Sequence, residues 1–307
     1  MTSFHPEGVL MDTPENRGNR KSLITLQDSL ANDKILEARA VVCDGDHNLI
    51  VDLGCIRGVI PREEGALGIR EGITRDIAII SRVNKPVCFK VMGFAKDKDG
   101  KPCAVLSRKA AQQQCMEEYV RRLSPGDVIP AKVTHFEPFG CFVDIGCGIP
   151  SLIPIDAISV SRISHPADRF QIGQEIKAVV KSVEDSGKVC LSHKELLGTW
   201  EQNAANFHPG ETVAGVVRSI ENYGVFVELT PNLAGLAELR ENVRVGQSAS
   251  VYIKSLIPEK MKVKLIIVDS FDTDYDAGQL QYYFEGSHMD RWKYSPDCCE
   301  KVIGTQF

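Results

Sequence analysis

The sequence FGCFV at residues 139–143 returns 84 residues later as YGVFV at residues 223–227. In each copy, smaller apolar residues that suit a core alternate with bulkier residues. This alternation is typical of a β-strand with one buried face. The same offset relates Gly126 to Gly210. Because several positions share one offset, we interpret the two segments as copies of one folding unit.

The first copy predicts a small closed barrel. Alternating runs separated by turn residues indicate five short β-strands, at residues 128–134, 139–146, 150–154, 175–183 and 187–192. Five strands in about 70 residues suit a closed barrel, because closure removes strand edges that would otherwise pair with other chains. Strand alternation then directs Cys141 and Val143 inward, and Phe142 and Asp144 outward.

An earlier, less similar copy precedes these two, since VDLGC at residues 51–55 resembles VDIGC at residues 143–147. The predicted fold class is therefore all-β with helical linkers: three tandem five-stranded barrels, the first of them degenerate. We call them barrels one, two and three. The predicted segments are a flexible N-terminal arm and short helix (1–32), barrel one (33–109), a helical linker (110–122), barrel two (123–198), a second helical linker (199–206), barrel three (207–268) and an acidic, aromatic extension (269–307).

Charge and composition limit the kinds of partner and the cellular locations that we expect for this protein. The formal net charge is −5, and residues 269–307 alone carry eight acidic and three basic groups. The rest of the chain is therefore near neutral, which does not exclude an anionic partner. No apolar run approaches the ~18 residues that cross a bilayer, and residues 1–6 lack the layout of a signal peptide, so we expect a cytoplasmic protein with no membrane partner.

No motif of catalysis or metal binding stands out. The ten cysteines include no Cys-x-x-Cys pair, which favours reduced thiols over a metal site. The run at residues 272–276 begins like a calcium loop, but Ala277 stands where glycine is required. Phosphate-binding loops, zinc-protease helices and nucleophile elbows are also missing from the sequence. We therefore predict no catalytic residues, no metal, no cofactor and no small-molecule substrate.

These units resemble the RNA-binding domain named after small-subunit ribosomal protein S-one, a five-stranded barrel of the oligonucleotide-binding (OB) class. The residues that carry the resemblance are the FGCFV and YGVFV cores, Gly126, Gly210, Gly173, Gly246 and the closing Leu191-Ser192-x-Lys194. The resemblance covers residues 33–268 and is weakest in barrel one. It implies a translation role, with single-stranded RNA, in particular mRNA, and the small ribosomal subunit as partners.

Single-stranded RNA offers flat bases and a charged backbone, so its binders display outward aromatic rings beside Lys or Arg. Strand alternation puts Phe142 and Phe226 on the outside, and Phe139 and Tyr223 at the preceding turns would add a second stacking surface. Alternation alone leaves open that all four are core residues of small barrels. The resemblance adds a basic residue near the last turn of each barrel, which falls on Lys188 and Lys262.

The family's histidine on the third strand is replaced by Pro154 in barrel two and by Glu238 in barrel three. We therefore expect stacking, rather than hydrogen bonding at this point, to dominate RNA binding. Basic residues and histidines elsewhere on the two barrels form a second rank of candidates for RNA contact. They are Lys132, Arg162, His165, Arg169, His193, Arg218, Lys254 and Lys264.

Barrel one differs, because His47 and Ile50 hold the aromatic positions and provide no stacking platform. Lys96, Lys98 and Lys101 surround its Asp99-Gly100 turn, either as an ordinary solvated hairpin or as a contact with phosphate or the ribosome.

Alternative functions remain open at this point. The same barrels could serve an RNA-binding regulator or an RNA-decay accessory protein away from the ribosome, or a protein-interaction scaffold. The acidic, aromatic extension could either dock as part of the core of barrel three or imitate RNA and cover its binding face.

Overall fold

The structure is a computed structural model that describes residues 4–97, 100–184, 186–272 and 280–307. It contains three closed five-stranded barrels, which confirms the predicted fold class. Around the wall of each barrel the strands follow the order first, second, third, fifth, fourth. The chain divides into two compact units, one of Met1–Leu123, Pro130–Lys132 and Asp144–Pro150, the other of Ser124–Ile129, Val133–Val143 and Ser151–Phe307.

Barrel one belongs to the first unit and follows two short helices, α1 (Pro14–Asn19) and α2 (Leu23–Ala31). Its strands are β1 (Ile35–Cys43), β2 (Leu49–Asp52), β3 (Arg57–Ile60), β4 (Pro86–Lys96) and β5 (Pro102–Ser107), with helix α3 (Ile77–Ile80) before β4. Leu26 of α2 is fully buried in the same apolar cluster as Phe89, so α2 closes one end of the core. Helix α4 (Arg108–Glu118) follows the barrel.

From Phe4 onward the N-terminal arm packs into the first unit, in the segment where the sequence predicts a flexible arm and a short helix. Glu7 is only 5% exposed, and its carboxylate accepts hydrogen bonds from Arg108 Nε at 2.7 Å and from the backbone N–H of Cys88. Arg82 also lies 3.2 Å from this carboxylate. The local sequence around Glu7 does not indicate this burial, because Arg82 and Arg108, which pair with its carboxylate, are distant in sequence.

Barrel two is formed by β6 (Val128–Glu137), β7 (Gly140–Asp144), β8 (Pro150–Pro154), β9 (Glu175–Val183) and β10 (Val189–Ser192). Cys141, Val143 and Ile145 are completely buried, as alternation predicts. Asp144 was predicted to face outward and is instead 4% exposed. Its Oδ1 accepts the backbone N–H groups of Gly146 and Gly148, so the side chain is turned into the β7–β8 turn.

Barrel three is formed by β11 (Thr212–Glu221), β12 (Gly224–Thr230), β13 (Leu233–Ala237), β14 (Ser248–Ile257) and β15 (Lys262–Phe271), and its last strand passes the predicted boundary at residue 268. Helix α5 (Trp200–Ala204) precedes it, and β16 (Arg291–Lys293) pairs with β17 (Gly304–Gln306) in the extension. Short 3₁₀ turns lie at Arg62–Glu64, Val120–Arg122, Ile155–Ala157, Pro166–Asp168, Lys194–Leu197 and Pro258–Lys260.

The core of barrel three includes residues that precede the barrel in the sequence and residues that follow it. Trp200 of α5 and Trp292 and Tyr294 of the extension are at most 8% exposed and belong to the same apolar cluster as the barrel interior. Burial of such large rings contributes strongly to stability. Trp292 and Tyr294 of the extension therefore complete this core, as the docking alternative predicts.

Within the ranges that the structure describes, no helix is long and apolar enough to span a bilayer. Nor do three or more His, Cys, Asp or Glu side chains gather there in an arrangement that could ligate a metal ion.

Candidate nucleic-acid interface

Barrels two and three each display a pair of aromatic rings on the outer surface. Phe139 is 56% exposed and Tyr223 is 64% exposed, while Phe142 and Phe226 are half-buried. The rings of Phe139 and Phe142 meet edge to face with 6.1 Å between centroids and 83° between planes. Tyr223 and Phe226 repeat this geometry at 6.1 Å and 90°. The two barrels thus present the same aromatic pair in the same arrangement.

The local sequence explains this display. Val225 and Val227 fill the barrel interior and are completely buried, so the intervening Phe226 must point outward. A Cβ atom at Gly224 would lie 2.5 Å from the carbonyl oxygen of Ala237 on the neighbouring strand. Only glycine allows this close approach of β12 and β13, and Gly140 of barrel two has the same requirement. The FGCFV and YGVFV cores therefore encode both the strand contact and the ring beside it.

Barrel two carries a third ring that the sequence analysis did not single out. His135 on β6 is exposed, and its imidazole is parallel to the Phe142 ring, with 4.5 Å between centroids and 5° between planes. The offset of 84 residues places Ser219 at the equivalent position of barrel three, directly across from Phe226 on the β11–β12 ladder. The signal for this position in the sequence is the 84-residue repeat itself, which extends into the first strand and pairs His135 with Ser219.

Lys188 and Lys262 are exposed, as predicted from the resemblance. The strand register adds Lys264 to the same outer surface of barrel three. Phe226 pairs with Leu236 on β13, and Leu236 pairs with Lys264 on β15. Paired residues project to the same side of a sheet, so Lys264 lies about 10 Å from Phe226 across two strands. Lys254 is also exposed, on β14.

Three second-rank candidates are enclosed by internal partners, and the prediction that they contact RNA is wrong. Two of them, Arg169 and Arg218, both bind the carboxylate of Glu228, and their side chains are 0% and 12% exposed. Their basic side chains suggested phosphate contact, but a buried carboxylate binds them instead. Lys132 is half-buried and donates from Nζ to the carbonyl oxygen of Glu7, and its contact with RNA stays a prediction.

His193 is the third enclosed candidate. It is completely buried, with Nδ1 3.0 Å from the carbonyl oxygen of Ile158 and Nε2 3.3 Å from the hydroxyl of Tyr282. Burial lowers the pKa of His193 to about 4, and nearby Arg169 lowers it further, against the Ile158 contact. A neutral, enclosed imidazole cannot stack on a base or pair with phosphate.

Arg162 and His165 remain exposed on the loop before β9. The His165 ring meets Phe136 of β6 edge on, with 5.8 Å between centroids. This loop therefore reaches the strand that carries His135, and both residues stay among the candidates for RNA contact.

The matching surface of barrel one is aliphatic. Ile50 takes the place of the ring and pairs with Val42 on one side and Val59 on the other. These residues line a groove of about 840 Å³ whose charged lining residues include Asp44 and Asp52 but also Arg57 and Lys96. Without an aromatic ring this surface offers no stacking platform for a base. Lys98 and Asp99, part of the predicted basic hairpin, lie outside the described residues.

The RNA-mimic hypothesis for the extension gains no support from its described residues. The Tyr282 hydroxyl accepts the backbone N–H of Lys177, and Tyr283 donates its backbone N–H to Leu196. Neither contact reaches the aromatic pair of barrel three, where Tyr223 stays more than half exposed. Residues 273–279, including most of the run that begins like a calcium loop, lie outside the described residues.

Comparison with known proteins identifies the family to which this sequence belongs. Residues 122–194 match the family described as S1 RNA binding domain. Over 293 residues the chain is 31% identical to the small ribosomal subunit protein bS1 of Staphylococcus aureus (strain COL), covering 88% of this chain and 71% of that protein. It is 32% identical over 281 residues to the bS1 protein of Staphylococcus haemolyticus, covering 85% and 68%.

A solved multidomain protein with nucleic acid binding domains from Streptococcus pneumoniae is 14% identical, with a TM-score of 0.25 over 78% of this chain and 75% of that one, a likeness too low to support an argument. The sequence identity over most of both chains and the matched RNA-binding domain decide the assignment. The chain belongs to the bS1 family of small ribosomal subunit proteins.

Proposed function

We propose that this protein binds single-stranded RNA, including mRNA, on the outer aromatic pairs of barrels two and three, and that it does so at the small ribosomal subunit during translation. The observation that carries the proposal is the repeated ring pair, Phe139 with Phe142 and Tyr223 with Phe226, displayed at 6.1 Å in both barrels. Phosphate attraction comes from the exposed Lys188 of barrel two and from Lys262 and Lys264 of barrel three.

Stacking supplies most of the affinity in this proposal. A base stacked on an aromatic side chain contributes about 1–3 kcal/mol and does so for any base. Such a surface binds RNA with little sequence preference, which suits a protein that must accept many messages. Binding rather than catalysis is the function that a pair of exposed rings with scattered lysines supports.

The ribosomal part of the proposal rests on the family, since the relatives at 31–32% identity are by name small ribosomal subunit proteins. With this role, the protein would act in the cytoplasm, where it would meet the ribosomes. Co-sedimentation with small subunits at low and moderate salt tests this part. Retention at moderate salt supports ribosomal action, whereas release with unchanged affinity for free RNA would favour an RNA-binding regulator or decay accessory acting elsewhere.

The RNA-binding part is tested by the double variant Phe139→Ala with Tyr223→Ala, measured by fluorescence anisotropy with a 12-nucleotide oligo-uridine RNA. Both rings are more than half exposed, so the melting temperature should stay within about 2 °C while the affinity falls at least tenfold. Tyr252→Ala, which removes an aromatic ring from the outside of β14, is the matched control and should leave the affinity unchanged. Equal losses in both variants would reject the proposed surface.

A further inference from the structure

We infer that barrels two and three act as one RNA site, which takes a single continuous strand across both aromatic pairs at a fixed spacing. The inference rests on the proposed function and on a buried joint within the second unit that locks the two barrels together. Ionic contacts and neutral hydrogen bonds contribute to this joint, beside a shared apolar cluster in which Val179 of barrel two packs with the interior of barrel three.

Glu228 of barrel three is the centre of the ionic part. Arg169, from the loop of barrel two, binds both of its carboxylate oxygens, with 2.8 Å from Nη1 to Oε1 and 2.8 Å from Nη2 to Oε2. Arg218 of β11 approaches the same oxygens at 3.1 Å, and its Nη1 lies 3.5 Å from Asp168 of barrel two. Burial alone would raise the pKa of Glu228, but the two guanidinium groups hold it below its usual value.

Asn232 is the centre of the neutral part. Its side chain is completely buried, and its Oδ1 accepts the backbone N–H of Val160 at 2.9 Å. Its Nδ2 donates to the carbonyl oxygens of Lys194 at 2.8 Å and Gly198 at 2.9 Å. One barrel-three side chain thus joins the loop of barrel two to the segment that ends that barrel, and its amide makes three of its four possible hydrogen bonds.

The joint lies close to the candidate RNA surface of barrel three. Glu228 follows Phe226 by two residues on β12, so both side chains project from the same face about 7 Å apart. In barrel two, the loop that contains Arg169 also contains His165, whose ring meets Phe136 on the strand of His135. A single loop therefore contacts β6 of barrel two and, through Arg169, the strand that displays Phe226.

Buried charged networks add little stability, but they fix geometry because a displaced member leaves an unpaired buried charge. Two barrels on a flexible linker would accept RNA at any separation, whereas two barrels held by this joint accept one separation. A strand of the right length then binds the second barrel without the orientational cost of a flexible pair. Arg169 and Glu228 are positioning residues for this site, since they hold the rings apart and need not touch RNA.

The test uses RNAs made of two five-uridine segments joined by polyethylene glycol spacers of increasing length. For the full chain, affinity should peak at one spacer length, at least tenfold above that for a single segment. The joint is disrupted by the double variant Arg169→Met with Glu228→Gln, which keeps the side-chain stems and removes both charges of the bidentate pair. The affinity of this variant for one segment should stay within twofold of that of the unaltered protein. Its affinity for the RNA with the best spacer should fall about tenfold, so that affinity no longer depends on spacer length.

Arg244→Met is the matched control, because it breaks an arginine–carboxylate pair with Asp272 that lies on the surface of the same barrel. It should leave the peak unchanged. A flat spacer profile in the unaltered protein would overturn the inference even if the variant fails to fold. The proposed function fails separately, if removal of Phe139 and Tyr223 leaves single-segment affinity unchanged.

Discussion

The imidazole of His135 lies parallel to the ring of Phe142, with 4.5 Å between the ring centroids. In barrel three, Ser219 occupies the equivalent position across from Phe226. Barrel two therefore displays three neighbouring rings where barrel three displays two. The two barrels have the same strand order, but they differ in the number of rings that a base could contact.

We expect exchange of these two residues to change RNA affinity in opposite directions. His135→Ser should weaken binding of a five-uridine RNA about fivefold, on the order of 1 kcal/mol, because one stacking ring is lost. Ser219→His should strengthen it by a similar factor by extending the smaller platform. Anisotropy titrations at one salt concentration measure both. If both substitutions shift affinity in the same direction, His135 does not act by stacking.

Lys264 should contribute a single phosphate contact next to Phe226. Lys264→Ala should reduce the slope of log affinity against log salt by about 0.7, the value for one contact with a single strand. Lys301→Ala, an exposed lysine of the extension, is the control and should leave the slope as it is. A slope that stays constant in the Lys264 variant would remove this residue from the RNA surface.

Glu37 should make the first unit less stable as the pH rises. Burial raises its pKa to about 7, with Glu7 adding repulsion, although the backbone N–H groups of Gly8 and Leu10 oppose the shift. Between about pH 4.5 and 7 the folded state holds a proton that the unfolded state has lost, so this group's stabilisation decreases as pH rises through that window.

Glu37→Gln should abolish that component, a change on the order of 3 kcal/mol in the free energy of unfolding between pH 4.5 and 7.5. Urea titrations at the two pH values measure it, with exposed Glu15→Gln of α1 as the control. The same pH dependence in the Glu37 variant and the unaltered protein would show that Glu37 does not hold this proton.

His193 should act in the opposite direction in the second unit. Burial lowers its pKa to about 4, so between about pH 6.5 and 4 only the unfolded state takes up the proton. Its contribution to stability is therefore present at pH 7 and is lost as the pH falls. His193→Gln should reduce this acid sensitivity in urea titrations at pH 7 and 5, whereas His208→Gln, at an exposed histidine, should not. Unaltered acid sensitivity in His193→Gln would contradict the assignment.

The sequence by itself determined the repeated unit, the five-stranded barrels and the outward direction of Phe142 and Phe226. These follow from local rules, because strand alternation and the glycine beside each ring act over a few residues. The 84-residue repeat extends to the first strand and therefore also includes the position of His135. Phe139 and Tyr223 were placed by the same local pattern, and their exposure agrees with it.

Only the tertiary structure decided which polar groups are free. Arg169 and Arg162 look alike in sequence, yet the first is bound by Glu228, 59 residues away, and the second is exposed. Glu7 and Arg108 are 101 residues apart and form a buried pair. Whether a charged side chain serves RNA or the fold depends on which partner the packed chain brings within 3 Å, and no local pattern contains that information.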